Sequence, residues 1–379
     1  MKQTNLFSRL LAATLALCLC GSMLSACTAQ SDTTDPSSTS STTSSDTDST
    51  TNEAELTRYS TVFYSYFDTV TTIIAYCESQ EEFDAQMAEI EAELAYYNQL
   101  YDIYNTYEGV NNLATLNESA AIAPVEVDAE IINLLLEAKE MYALTDGNVN
   151  VAMGSVFSLW HDEREIATAD PDAAKLPDAD ALRDAAAHTD LDDVIIDTEA
   201  STVFFADPEL QLDVGSCGKG YACEMVAQHA QARGMTSMLM SVGGNLRGIG
   251  TKPDGSAWVG GVEDPWAMAE GVTSSLVSIQ LTDISLVVSG DYQRYYYVGD
   301  EKYHHLIDPD TLYPALYFNS VSVLTADAGL ADCLSTALFC MSLEEGQTLI
   351  EQLQDTEAMW CLPDGETVVY SSGFLDYQN

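Results

Sequence analysis

The composition of the first 55 residues indicates which part of the chain can form a folded domain. Lys2 and Arg9 are the only charged residues before Cys27, and the stretch between Arg9 and Cys27 is almost wholly apolar or small. A basic start followed by a short apolar stretch is typical of a secretory signal. Residues 28–52 are Ser, Thr and Asp with little else, a composition that buries no apolar surface and stays disordered. The fold must therefore be built from residues 56–379, which suffice for one large domain or two closely packed lobes.

The apolar stretch closes with Leu24-Ser25-Ala26-Cys27, which resembles a lipobox, where the signal is cut before a cysteine that carries a diacylglyceryl group. A single apolar helix kept as a membrane anchor is the alternative. The position of Cys27 and the polar tether after it favour a lipoprotein. We therefore expect a signal peptide at residues 1–26, a lipidated Cys27 with a tether to residue 55, and a domain at residues 56–379. That domain would be lipid-anchored at the cell membrane and face the extracytoplasmic side.

The net charge of the chain excludes some classes of binding partner. It has 13 Lys+Arg against 60 Asp+Glu, a formal net charge of -47. Such a field repels the phosphates of nucleic acids and anionic lipid headgroups, so we expect no nucleic-acid partner. An anionic substrate would need local help from a metal ion or from one of the few lysines and arginines.

Six cysteines follow Cys27 along the chain. They occur singly in apolar or helical contexts, without the spacing of a zinc site, and we expect them to be buried thiols. They are Cys77, Cys217, Cys223, Cys333, Cys340 and Cys361.

The pattern of apolar residues predicts both helices and strands. Helical spacing is found in residues 81–101, 128–145, 220–233, 330–341 and 343–353. Strands are predicted in residues 59–77, 191–203, 211–214, 237–242, 257–262, 276–281, 286–288, 295–298 and 320–324. Because hairpins and helices mix without a regular βαβ order, we expect an α+β fold with largely antiparallel sheets and packed helices.

The segment Asp213–Tyr221 places glycines and Lys219 between a predicted strand and a predicted helix. Glycines there let backbone N–H groups approach an anion, and a helix N-terminus attracts negative charge. The spacing does not match a Walker P-loop. A tight turn from strand to helix is the alternative reading, and the segment alone does not decide between the two.

Asp332 and Thr336 are four residues apart, on one face of a predicted helix. Asp332 is the only charged residue between Gly329 and Leu343. A carboxylate and a hydroxyl on one face can give two oxygens to a hard cation such as Mg²⁺. Alternatively, Asp332 caps the helix or pairs with a basic residue.

His304 and His305 are neighbours in an extended segment that runs into Asp308-Pro309. They could bind a metal or move protons. Because adjacent side chains of a strand point to opposite faces, at most one of them faces a site. The other is expected to be structural.

Six segments, taken in chain order, resemble the motifs of the ApbE family, the FAD:protein FMN transferases. The resemblance runs from about Tyr66 to Gly373. The segments are Asp213–Tyr221 for D-x-G-x-x-x-K-G-Y, Ser241–Asn245, Gly250–Gly255, Ser289–Tyr295, Tyr303–Pro309 and Leu330–Ala337 for L-A-D-x-x-x-T-A.

The resemblance implies an ApbE/T-fold-like architecture and a set of site residues. Asp332 and Thr336 would give side-chain oxygens to Mg²⁺, and Ser216 its backbone carbonyl. Asp213 and Lys219 would contact FAD, and His305 would lie near the reacting pyrophosphate. The catalytic residues would be His305 and Asp332. Further residues near FAD would be Phe67, Tyr104, Asn148, Val149, Asn150 and Leu286.

The resemblance also implies a reaction: Mg²⁺-dependent transfer of FMN from FAD to a threonine hydroxyl of an acceptor flavoprotein, with release of AMP. The expected acceptors are flavoprotein subunits of membrane electron-transport complexes or exported reductases. A Mg²⁺-dependent FAD pyrophosphatase, a flavin-binding lipoprotein without catalysis and an acidic lipoprotein without ligand are the alternatives.

The chain departs from the family's pattern at a few positions. Leu312 stands where glycine is frequent, and because a leucine resists φ > 0, we expect this turn to differ. Val288 replaces the usual threonine, and Phe67-Asp68-Thr69 stands in place of Met-Gly-Thr.

Overall fold

Eight strands of the chain form one sheet in which every pair of neighbours is antiparallel. The computed structural model of the protein describes residues 55–379. The predicted signal peptide, Cys27 and the predicted tether up to residue 54 lie outside the described residues. With strands numbered in chain order, the sheet runs β1 (Thr57–Tyr66), β2 (Thr69–Cys77), β6 (Met238–Val242), β7 (Asn245–Ile249), β10 (Ser285–Gly290), β13 (Ser320–Thr325), β14 (Glu357–Cys361) and β15 (Val368–Tyr370).

The other strands form three small antiparallel sheets. They are β3 (Val125–Glu126), β5 (Thr202–Phe205) and β4 (Val194–Asp197); β8 (Trp258–Glu263) and β9 (Ser275–Leu281); and β11 (Tyr295–Val298) and β12 (Glu301–His304). The predicted α+β fold with largely antiparallel sheet is confirmed.

The helices of the described residues, in chain order, are α1 (Gln80–Tyr101), α2 (Leu113–Ser119), α3 (Ala129–Leu144), α4 (Gly154–Ala169), α5 (Ala179–Ala186), α6 (Gly218–Ala232), α7 (Pro265–Ala269), α8 (Ala328–Phe339) and α9 (Leu343–Gln352). None of them combines the length and the apolar character needed to cross a membrane.

The two faces of the large sheet bury different cores. Because side chains alternate along a strand, Ile73 and Ala75 of β2 join the core under α1 and α6. Ile74 and Tyr76 pack instead against the core that β8 and β9 close on the other face. The six cysteines are free and buried, as expected. The large sheet is therefore covered on both sides, and α6 and α8 are fixed on one of them.

The contact between α6 and α8 depends on Gly220. A Cβ atom there would overlap the Cβ of Asp332 and the carbonyl oxygen of Ala328. Without it, the first turn of α6 lies directly against α8, and the N–H of Gly220 reaches the Asp332 carboxylate. The Gly-Lys-Gly sequence thus sets how closely the two helices approach.

Residues 211–214 are not a strand, contrary to the prediction. The backbone N–H of Leu212 donates to Asn117 Oδ1 at 2.7 Å, and its carbonyl accepts from Asn117 Nδ2 at 3.0 Å. One amide side chain therefore takes the place of a neighbouring strand. The segment stays extended, since Asp213 N–H also donates to the carbonyl of Val151.

Leu312 adopts the conformation that we expected a leucine to resist, with φ 63°. Three hydrogen bonds hold the turn: Leu312 N–H donates to Asp308 O at 2.8 Å, Asp308 N–H donates to Tyr313 O at 2.9 Å, and Trp160 Nε1 donates to Leu312 O at 2.9 Å. A left-handed non-glycine residue costs about 1–3 kcal/mol and persists where its surroundings fix it. Here the three hydrogen bonds fix it, so Leu312 is held at φ > 0.

We predict that Gly220→Ala destabilises the fold by about 1–3 kcal/mol, because the added methyl group overlaps backbone and cannot be accommodated by a rotamer change. Urea unfolding measures the change. Gly346→Ala in α9 is the matched control, since its Cβ would meet side chains alone, Leu338 Cδ2 at 3.2 Å and the Trp360 ring at 3.5 Å, and no backbone atom. The control should stay within about 1 kcal/mol of wild type. Equal stability of G220A and wild type would contradict the close contact.

Candidate active site

Asp332 connects α8 to the first turn of α6. Its carboxylate is buried, Oδ2 accepts from Gly220 N–H at 2.7 Å, and Oδ1 lies 3.4 Å from Lys219 Nζ. The helix cap is Asp327, which accepts from the N–H groups of Gly329 and Leu330. Asp332 therefore does not cap α8. It pairs with a basic residue, Lys219, which was one of the alternative interpretations of the sequence.

The Asp332 carboxylate keeps a free coordination position. Charge-assisted N–H···O bonds are usually about 2.7–2.9 Å long, so the 3.4 Å contact with Lys219 is loose. Oδ1 thus has lone pairs that no short hydrogen bond uses within the described part of the chain. A buried carboxylate oxygen of this kind is suited to a hard cation.

Thr336 lies one turn beyond Asp332 on α8 and is partly exposed. Its Oγ1 lies 3.5 Å from Ser289 Oγ of β10, and Ser289 Oγ is 2.8 Å from Ser335 Oγ. These contacts hold the face of α8 that carries Thr336 against β10 of the large sheet. The hydroxyl of Thr336 therefore has a fixed place beside Asp332.

The turn before α6 brings Asp213 and Ser216 toward the same helix end. Asp213 Oδ1 accepts from Gly215 N–H at 2.8 Å. Burial raises the pKa of Asp213, and that hydrogen bond together with the charges of nearby Arg294 and Arg164 offsets only part of the rise. Ser216 is partly exposed in the turn, three residues before Lys219.

The residues around this helix end suit Mg²⁺. The three predicted donors, at Asp332, Thr336 and the Ser216 carbonyl, are all oxygens, as a hard cation prefers. Residues 55–379 contain no group of three or more His, Cys, Asp or Glu side chains that could hold a metal ion. Water and phosphate would therefore have to supply the remaining ligands.

The paired histidines differ in their surroundings. His304 is buried, its Nε2 donates to Ala315 O at 2.8 Å, and its Nδ1 accepts from Leu306 N–H at 3.2 Å. His305 Nδ1 is also buried, but it has no hydrogen-bond partner within the described residues. Burial, followed by the charge of Arg294, lowers the pKa of His305 to about 3. His304 is structural, and His305 is left with an unused nitrogen as a neutral imidazole.

Helix α4, which the sequence analysis did not predict, adds two basic residues. Arg164 Nη2 lies 2.9 Å from His161 Nδ1, and Tyr104 lies over the His161 ring with the centroids 5.2 Å apart. Tyr104 is 62% exposed, so its ring remains open to a ligand. The one feature of the sequence that could have indicated Arg164 is that arginines are rare in so acidic a chain.

Four of the residues predicted to lie near FAD have other neighbours in the structure. Asn148 and Asn150 line a cavity of about 440 Å³ together with Asp310 and Leu312, and the residues lining it do not include Asp332 or Lys219. The side chains of Val149 and Leu286 are each 1% exposed. Val149 packs under α8, and Leu286 packs in the core on the opposite face of the large sheet. Contact of these four residues with FAD stays a prediction.

Phe67 is at the turn between β1 and β2, with φ 55°, followed by Asp68 with φ 50°. Its N–H donates to Asn98 Oδ1 of α1 at 2.7 Å. The ring is half-buried against the core under α1. Two consecutive left-handed non-glycine residues are unusual and are often found at functional sites.

Comparison with known proteins points to one family. The model described as "ApbE family" matches residues 67–360. The FAD:protein FMN transferase of Treponema pallidum is 32% identical over 278 residues, which cover 70% of this chain and 74% of that protein. The FAD:protein FMN transferase of Klebsiella pneumoniae is 27% identical over 271 residues, or 71% of this chain and 81% of that protein.

Solved structures agree with the fold. The ApbE protein of Thermotoga maritima superimposes with a TM-score of 0.74 and 26% identity, over 85% of this chain and 100% of that one. The flavin transferase ApbE of Vibrio cholerae gives a TM-score of 0.70 at 23% identity, over 85% and 100% of the two chains. At that identity the second likeness concerns the fold alone.

We predict that His305 makes the folded protein less stable as the pH falls. Between the ordinary pKa of 6.5 and the lowered value of about 3, the unfolded chain binds a proton that the folded chain does not. Stability therefore decreases with decreasing pH by up to about 1.4 kcal/mol per pH unit. In His305→Asn this contribution is lost, and urea unfolding between about pH 7.5 and pH 5 should show a shallower dependence. His229→Asn, at a half-exposed histidine, is the control. If the free energy of unfolding changes equally with pH in H305N and wild type, His305 is not a buried neutral imidazole in the folded protein.

Proposed function

The chain belongs to the ApbE family, and on that premise we propose that it transfers FMN from FAD to a threonine hydroxyl of an acceptor protein with the help of Mg²⁺. AMP is the second product. The observation that carries the proposal is the buried carboxylate of Asp332, held by Gly220 N–H and only loosely by Lys219. A carboxylate in this position, beside a lysine and a hydroxyl, is suited to a metal ion and a phosphate group.

In the proposed reaction the threonine oxygen attacks the FMN-side phosphorus of the pyrophosphate. The bond from that phosphorus to the bridging oxygen breaks, and AMP leaves with the bridging oxygen. The hydroxyl proton must be taken up. His305 is our candidate, because its Nδ1 is a buried acceptor nitrogen that has no partner among the described residues.

Mg²⁺ would be held by Asp332, Thr336 and the backbone carbonyl of Ser216. Bound there, it would neutralise phosphate oxygens and make AMP a better leaving group. Lys219 adds a positive charge on the same helix end, and its loose contact with Asp332 leaves its ammonium able to contact a phosphate. Asp213 and the half-buried Phe67 are proposed to contact FAD.

We also propose where the reaction takes place. A signal peptide, a lipidated Cys27 and a polar tether would hold the enzyme on the outer side of the cytoplasmic membrane. Its acceptors would then be exported proteins or membrane subunits that face outward, such as flavoprotein subunits of electron-transport complexes. A tether rich in Ser, Thr and Asp would let one anchored enzyme reach several of them.

The proposal is tested by measuring AMP release from FAD with and without Mg²⁺, and with and without an acceptor domain. We expect release to require Mg²⁺ and to accelerate with the acceptor, because the threonine hydroxyl is the intended nucleophile. Equal AMP release in the absence of acceptor, with no flavin on the denatured protein, would support a pyrophosphatase instead. FAD binding without AMP release would leave only a flavin-binding protein.

We predict that Asp332→Ala abolishes Mg²⁺-dependent AMP release, by at least about a hundredfold, while the protein still folds. The reason is the loss of the only carboxylate among the proposed metal ligands. Asp327→Asn, at the cap of the same helix, is the matched control. Because asparagine caps a helix about as well as aspartate, this variant should keep near wild-type stability and retain turnover. Wild-type turnover in D332A would remove the proposed metal site.

A further inference from the structure

Six of the eleven lysines and arginines in the described residues form ion pairs with carboxylates: Lys175, Arg183, Lys219, Arg233, Arg247 and Lys302. Among the five that form none with a described carboxylate, Arg164 and Arg294 differ from the others because their charges act on one another and on His305. Two like charges brought together without an ion pair, in a chain with 60 acidic residues, call for a reason.

The fold brings these two arginines to the same place. Trp160 packs against Tyr303 and Tyr296 of the β11–β12 hairpin and thereby fixes α4 beside it. Arg164 lies one helical turn after Trp160. Tyr295 pairs with His304 in the hairpin, so Arg294, just before Tyr295, lies next to His305, just after His304. Both guanidinium groups are thus near the histidine with the unused nitrogen.

Arg164 is held in position by His161. An arginine has only N–H donors, so the 2.9 Å contact requires His161 Nδ1 to accept. The proton of the imidazole is then on Nε2. Tyr104 covers the ring, and its hydroxyl lies 3.5 Å from the same Nδ1. The guanidinium is oriented without any negative charge to compensate it.

The electrostatics of the group are unfavourable without a ligand. Burial, followed by the charge of Arg294 among the neighbours, lowers the pKa of Arg164. Both arginines also oppose protonation of His305. Asp213 is the carboxylate that feels both charges, but it forms no ion pair with either. Glu165 also acts on Arg164, but neither carboxylate forms an ion pair with it, so a bound anion would supply the negative charge that is missing at short range.

We propose that Arg164 and Arg294 form a binding site for a phosphate of the FAD pyrophosphate, with His161 as the positioning residue for Arg164. The fork of N–H donors on a guanidinium matches phosphate oxygens, which explains arginine rather than lysine at both positions. The inference rests on the proposed function for the identity of the ligand. It adds a second source of positive charge, Arg164 on α4 and Arg294 just before β11, to that of Lys219 on α6.

The test compares ligands that differ only in a phosphate. Binding of AMP against adenosine, and of FMN against riboflavin, is measured by calorimetry on the full-length chain in detergent with Mg²⁺. In the wild type, AMP should bind more tightly than adenosine, or FMN more tightly than riboflavin, or both; this difference is the phosphate gain. In Arg164→Ala and in Arg294→Ala that gain should fall about ten- to a hundredfold, since hydrogen bonds to charged groups are lost. The pair of ligands that loses the gain identifies which phosphate is held.

Arg183→Ala is the matched control, because Arg183 is exposed and already paired with Asp180; it should keep the full gain. His161→Gln should weaken AMP or FMN binding in wild type but not further in an Arg164→Ala background. An equal loss in both backgrounds would show that His161 does not act through Arg164.

Failure of this inference and failure of the proposed function are separable. Full phosphate gains in R164A and R294A, with normal AMP release from FAD by the wild type, would overturn the arginine site alone. No phosphate gain in the wild type would overturn it as well. If the phosphate gain is lost in both R164A and R294A but the wild type releases no AMP from FAD, the phosphate site is supported and the transferase activity is refuted.

Discussion

The contact between the Asp332 carboxylate and the N–H of Gly220 is the interaction on which the rest of the site depends. It exists only because residue 220 has no side chain, so that α6 and α8 approach closely enough for a carboxylate on one to reach the backbone of the other. Both helices lie on the large antiparallel sheet. The sheet therefore fixes the distance between Lys219 and Thr336, and with it the place where a cation and a phosphate would meet.

The net charge of the protein is the second constraint on the site. A chain at -47 repels a dinucleotide such as FAD at long range, so binding depends on where the few positive charges lie. Lys219 on α6, Arg164 on α4 and Arg294 before β11 come from three parts of the chain, and none is in a short ion pair with a described carboxylate. The two arginines oppose protonation of the nearby His305, and a phosphate bound between them would offset that effect.

Much of this could be predicted from the sequence, and the exceptions have physical reasons. Regular apolar spacing gave α1 and α3, and the Asp213–Tyr221 and Leu330–Ala337 segments gave the helix ends of the site. The strand predicted at residues 211–214 failed because the Asn117 side chain replaces a strand partner. Leu286 was placed near FAD by the family resemblance alone, and because its side chain is buried in the core, that placement stays a prediction. Arg164 carries no motif, since its position follows from the packing of Trp160 on a distant hairpin.

The central claim is that the FMN half of FAD becomes covalently bound to a threonine while the AMP half leaves. The most direct test is the intact mass of an acceptor domain after incubation with the protein, FAD and Mg²⁺, measured together with free AMP. The account predicts one covalently bound FMN per AMP released, and none when the acceptor threonine is replaced by valine. AMP released without any mass increase on the acceptor would contradict it.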